Sequence, residues 1–280
     1  MTIGIAVLAA EGSNPPDHVI LLADTKGSFG DEFSMNQLHK LFIDPKLGLY
    51  TVAADQMDKA AELFKTIHLF MTDLSGPIGY GRLFQAVHGA SDTYKRIRFK
   101  YDILPKYAHI PPSIPDDFNE SHLTPTLLEE WRNYYFGCQM IVSSFDTEGK
   151  PYLFLIDGTG GVLNFTFPGF AAIGSGREQA MFWLSYRHHN LGLNVKRATF
   201  HAFEAKLMAE SSPFVNEHID LVIANKDSCW VATRTNPKPE GIPITIAELQ
   251  ELFGSYGPKE TDDLGKKTMP SASRKPKPKK

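Results

Sequence analysis

Strand-like and helix-like stretches come in blocks along this chain, and the order of those blocks restricts the fold more than any other feature. TIGIAVLAA and HVILLADTKG are rich in β-branched residues and are joined by the turn-forming EGSNPPD, which predicts a hairpin. KLGLYTVAA is a third strand. In DKAAELFKTIHLFMTDL the residues Ala60, Leu63, Phe64, Ile67, Phe70 and Met71 recur at helical spacing, and RLFQAVHGASDTYKRI repeats that period with Leu83, Phe84, Val87 and Tyr94. CQMIVSSF, PYLFLID and VLNFTF, separated by DTEGK and GTGG, predict an antiparallel meander. GREQAMFWLSYRHH and VKRATFHAFEAKLMAE form a second helix pair, followed by the strands HIDLVIA and CWVATRT and the short helix TIAELQELFG. This order does not suit the βαβ alternation of a parallel doubly wound sheet. It predicts an α+β chain: two antiparallel sheets packed face to face, each covered outside by a helix pair, in a four-layer αββα sandwich.

Composition fits that demand for core. The chain has 280 residues, 42% of them hydrophobic, enough for one large core or two modest ones. The stretch from Met1 to Val7 lacks a basic flank and falls far short of the roughly 18 apolar residues that span a bilayer, so neither a signal peptide nor a membrane helix is expected, and the expected location is cytoplasmic. Cys138 and Cys229 are too few for a disulfide framework and have no zinc-site spacing; both are expected as buried, reduced thiols. The formal net charge of -3 is unevenly spread, because residues 259–280 carry eight Lys or Arg against three acids. That Pro, Ser and Lys composition cannot bury enough apolar surface to fold, so residues 258–280 are expected as a disordered basic tail behind a single domain of residues 1–257. The tail is read as solvated rather than as a nucleic-acid arm.

Six motifs in order, VILLADTKGSFG, KLF with Lys40, YTVAADQMDKA, LIDGTGG, AAIGSGREQA and HIDLVIA, make the chain resemble a proteasome β-type subunit of the N-terminal nucleophile hydrolase superfamily, in the manner of a bacterial homologue. The resemblance covers nearly everything except a few insertions and the tail. It implies a threonine endopeptidase that needs no cofactor and no metal. Its substrate would be a peptide or unfolded protein, and its assembly a homo-oligomeric ring or double ring with room for an ATPase or other regulatory partner. The resemblance also gives Thr2 a meaning. In that family an N-terminal threonine attacks the peptide carbonyl while its own α-amine helps remove the proton. Threonine is small, so removal of Met1 would expose it without a propeptide. The plain alternative is a β-branched residue beginning a strand.

The resemblance assigns further roles. Lys40 would stand beside Thr2, its ammonium lowering the cost of deprotonation, a role that needs a desolvated lysine of depressed pKa. Asp24 would orient Lys40, although a Lys and an Asp on neighbouring strands are also an ordinary ion pair. The Ala54 N–H, where the family has Gly, would serve as oxyanion donor. Ser175, in GSG between strand and helix, would hydrogen-bond the α-amine. No GxGxxG fingerprint is present, so nucleotide binding is not expected.

The departures point elsewhere. Counting back from Ile219 puts Ser212 and Val215 where active members carry an Asp and a Ser. Val215 has no hydrogen-bonding side chain, so that network is incomplete unless Ser211, Glu210 or Glu217 enters it. This favours a second reading, a catalytically silent scaffold or binding subunit; a third is a small-molecule amidase on the same fold. The stretch from about Ile97 to Gly137 is longer than the family's usual connection, and its aromatics, Tyr101, Tyr107, Trp131, Tyr134 and Tyr135, are expected to pack on their own subunit, a neighbour or a partner. His188 and His189 are adjacent, which on a helix turns them to different faces and argues against a shared metal.

Overall fold

The computed structural model describes residues 3–11, 15–25, 27–29, 33–35, 40–107, 118–210, 218–233 and 236–255. Thr2, Ser211, Ser212, Val215, Glu217 and the tail therefore lie outside the described residues.

The first sheet contains β1 (Ile3–Ala9), β2 (His18–Asp24), β10 (Phe170–Gly174), β11 (Ile219–Ala224) and β12 (Cys229–Ala232), ordered β10-β1-β2-β11-β12. The second contains β5 (Leu41–Asp44), β6 (Leu49–Asp55), β7 (Cys138–Phe145), β8 (Pro151–Ile156) and β9 (Val162–Asn164) in sequential order. Between them in sequence lies a small ribbon of β3 (Gly27–Phe29) and β4 (Phe33–Met35). Every pairing is antiparallel. Helices α1 (Met57–Thr72), α2 (Tyr80–Asp102) and α3 (Pro125–Asn133) cover the second sheet, and α4 (Arg177–Tyr186), α5 (Val195–Ala209) and α6 (Ile246–Ser255) cover the first.

This layering explains why the strands read as continuous apolar runs. A sheet held between helices and a second sheet is buried on both faces, so neither side chain parity needs to be polar. In β1, Ile3, Ile5, Val7 and Ala9 pack toward α4 and α5, whereas Ala6 and Leu8 join Leu21, Val52, Ile141 and Leu155 between the sheets. At about 1.5–3 kcal/mol for each large aliphatic side chain buried, the shared layer holds the two sheets in one unit. Gly4 lies tight against the second sheet: a Cβ there would lie 2.7 Å from Val52 Cγ2.

The αββα sandwich agrees with the expected fold class, and the β1–β2 hairpin pairs Ile5 with Leu22. Two expectations change. KLGLYTVAA is a turn at residues 45–48 followed by β6, with the unforeseen β5 before it. Within the stretch 97–137, α2 continues to Asp102, and α3 begins at Pro125 behind the cap residue Thr124. Leu127 and Trp131, one turn apart, bury the inner face of α3, and Trp131 and Tyr134 meet Phe99 edge-on at 5.2 and 5.5 Å. Those two aromatics pack on their own subunit, while Tyr101 stays 67% exposed. Cys138 is buried and Cys229 only half-buried; both are free thiols. No helix among the described residues is long and apolar enough to cross a membrane.

Candidate active site

One carboxylate joins the ends of three strands. Asp24, closing β2, accepts on Oδ1 from the backbone N–H of Ile3, which opens β1, at 2.8 Å, and from Lys40 Nζ, just ahead of β5, at 2.5 Å. Both side chains are completely buried. Taking two charges out of water is tolerable because each satisfies the other and the amide uses a further lone pair of the same oxygen. Burial pushes the Lys40 ammonium down from 10.5 to about 8, against the opposing pull of Asp24 and of Asp220 and with help from the nearby positive charge of Lys206. The lysine expected to be desolvated and depressed is both. The amide bonded to Asp24 belongs to Ile3, so the carboxylate and the ammonium sit at the start of β1.

Ser175 follows β10 in the turn that leads into α4, and β10 pairs Gly174 with Ile3. The serine thus lies beside the start of β1, half-buried. The structure brings Asp24, Lys40 and Ser175 to one edge of the sandwich.

Ala54 fits its expected role poorly. The N–H of Ala53 donates to Lys40 O at 2.9 Å, across to the β5 side, and the N–H of Gln56 donates to Gly137 O at 2.9 Å, on the β7 side. In an antiparallel ladder successive residues face opposite neighbours, so the N–H and C=O of Ala54, paired with Gln139, both turn toward β7 and away from Lys40. A trans peptide sets the next N–H opposite that carbonyl. The N–H aimed toward the β5 edge and Lys40 is therefore that of Asp55, whose φ of 76° is the left-handed conformation. Residue spacing alone does not register this alternation.

Two buried groups were not singled out from the sequence. Lys206, on the inward stripe of α5, is fully buried and bonded to Glu210 Oε1, and Asp220, on β11, is 2% exposed. The signal for Lys206 was present, since helical spacing from Ala198 through Ala202 and Ala205 to Ala209 leaves residue 206 on the buried face. Glu210, considered for the amine network, is engaged with Lys206. His189 is buried with Nε2 3.2 Å from Leu8 O, and His188 turns the chain with a φ of 49°. Among the described residues no three His, Cys, Asp or Glu side chains gather as a metal site.

The family model described as Proteasome subunit matches residues 113–207. No curated protein matches the chain in sequence. Among solved structures, Anbu (ancestral beta-subunit) from Yersinia bercovieri is similar with a TM-score of 0.62 at 13% identity, covering 96% of this chain and 98% of its own. Anbu from Hyphomicrobium sp. strain MC1 gives 0.59 at 14% identity with the same coverage. Eukaryotic HslV from Trypanosoma brucei gives 0.53 at 19% identity, covering 80% of this chain and 99% of its own. The family match covers residues 113–207, and the solved structures share the αββα architecture of this chain.

Proposed function

We propose that the protein is a threonine peptidase of a proteasome-like complex, acting through Thr2 after loss of Met1. The observation that carries this reading is the single Asp24 oxygen shared by a wholly buried Lys40 ammonium and the Ile3 amide. An ordinary surface ion pair contributes little and needs no burial; a buried pair at the root of a candidate nucleophile has a reason to be there.

The chemistry follows from these groups. Thr2 Oγ attacks the scissile carbonyl carbon and passes its proton to the α-amine, whose neutral form is favoured by the adjacent Lys40 charge. The tetrahedral oxyanion is met by the N–H of Asp55. Collapse expels the leaving amine, which takes the proton, and leaves an acyl ester on Thr2 Oγ. Water, deprotonated by the α-amine, then hydrolyses the ester and restores the hydroxyl. Ser175 would hold the α-amine in place. By the same resemblance the chain assembles into a ring or double ring enclosing the sites, with peptide or unfolded protein as substrate.

The test is intact mass before and after exposure to a short peptide epoxyketone, whose ketone is attacked by the threonine hydroxyl and whose epoxide is then opened by the α-amine. The reaction is an addition with no leaving group, so the adduct carries the full reagent mass. Loss of Met1 and one adduct per chain, absent from Thr2→Ala while its native size is kept, is the expected result. A free Thr2 that never reacts would overturn the peptidase reading.

A further inference from the structure

The left-handed backbone at Asp55 is the strained feature that lies nearest the candidate site. Among the described residues only Asp55 and His188 adopt positive φ without being glycine, and such a residue relaxes toward the extended region unless something holds it. The holder is visible. Tyr135, 47% exposed, donates its hydroxyl to Asp55 Oδ2, and partial burial together with that carboxylate pushes the phenol upward, so it remains a donor at any ordinary pH. The tyrosine is itself braced. Its ring occupies the space over Gly158, where a Cβ would lie 1.7 Å from Tyr135 Cε2, and the next residue donates from Phe136 N to Gly158 O at 2.9 Å. On the other side Gly137 O receives Gln56 N, and Tyr134 is anchored through Asp102 at 2.5 Å. The end of the long 97–137 connection thus grips the β6–α1 corner from both directions.

We propose that Tyr135 is a positioning residue: by tethering the Asp55 carboxylate it holds the left-handed corner at which β6 leaves the ladder, and with it the position of the Asp55 N–H that the ladder turns toward the β5 side. The inference rests on the peptidase reading above. It gives the long connection a task within its own subunit, and it accounts for a non-glycine residue at a position whose backbone suits glycine.

The test exploits that last point. In the otherwise unchanged chain, Tyr135→Phe keeps the ring over Gly158 and removes only the hydroxyl; the limiting rate of epoxyketone adduct formation should fall about tenfold, with the half-saturating reagent concentration unchanged within twofold. In an Asp55→Gly chain, which needs no tether to hold positive φ, the same Tyr135→Phe change should alter the limiting rate less than twofold. A tyrosine that only supports the fold would cost the same in both backgrounds, and that result, or no effect in either, overturns the proposal. Should the unchanged chain form no adduct at all, the peptidase reading fails separately, and crystals of Tyr135→Phe still decide the tether: relaxation of Asp55 from positive φ supports it, and retention overturns it.

Discussion

The buried Lys40 makes a prediction whose sign differs from that of a simple lysine base. With its ammonium near a pKa of about 8, Lys40 is mostly charged at neutral pH, and in the proposed mechanism that charge keeps the α-amine neutral. Raising the pH through about 8 removes it. The limiting rate of adduct formation should therefore fall on the alkaline side, approaching a tenfold loss for each pH unit beyond the midpoint. Asp24 raises the Lys40 value both by its charge and by its hydrogen bond, and an opposite charge at this range is worth about 1 to 3 units. Asp24→Asn should move the alkaline limb downward by that order and lower the maximum as well, because the side chain that orients the ammonium is weakened. Lys40→Arg keeps a cation throughout and should abolish the alkaline limb, even if the planar head lowers the overall rate. The assay is the epoxyketone rate from pH 6 to 10 by intact mass, with circular dichroism confirming the fold at each end. A rate in the unchanged chain that keeps climbing from pH 8 to 10, with Asp24→Asn giving the same profile, would refute the role of the ammonium.

Two predictions concern the scaffold. Gly4→Ala would place a methyl 2.7 Å from Val52 Cγ2 and 3.0 Å from Ile173 Cγ1, so it should cost about 1–3 kcal/mol in urea denaturation; combination with Val52→Ala should recover part of that loss, and strict additivity would show that the sheets are not in contact there. Arg187 holds the buried Glu204 at 2.6 Å, a carboxyl whose pKa burial already raises. Arg187→Ala leaves that charge uncompensated and should cost about 3–5 kcal/mol. A raised folded pKa penalises the ionised form, so the deficit should be larger at pH 8 than at pH 5, and an equal deficit at both would contradict it.

The fold was legible because block order and periodicity are local records of a global arrangement. Each helix of the two expected pairs, each strand of the meander and the first hairpin could be read from runs of apolar residues, since burial on both faces left almost no polar residue to interrupt them. What escaped notice was short or disguised. The four residues of β5 hid inside KLFID because a strand of that length has too few repeats to show a period. Helix α3 was concealed by the prolines around it, although Thr124 followed by Pro125 is a helix start rather than a break.

The site shows where residue counting ends. Spacing from a family motif picks out Asp24 and Lys40, which the structure brings together in a buried pair, because side chains that meet across a sandwich need only the right residues near the right strand ends. An oxyanion donor is a backbone N–H, and its direction depends on the parity of the ladder and on one dihedral angle, neither of which is written in the identity of Ala54. The ladder turns Ala54 toward β7, the trans peptide sets the next N–H on the other side, and the chain then leaves the strand through the left-handed Asp55. That shift also changes which departure from glycine matters. A methyl at Ala54 would only have narrowed the groove, whereas a carboxylate at Asp55 must be held in a conformation it does not favour. The tyrosine that holds it comes from the long connection before β7, so a segment that looks like an accessory in the sequence is tied to the corner from which the candidate donor points.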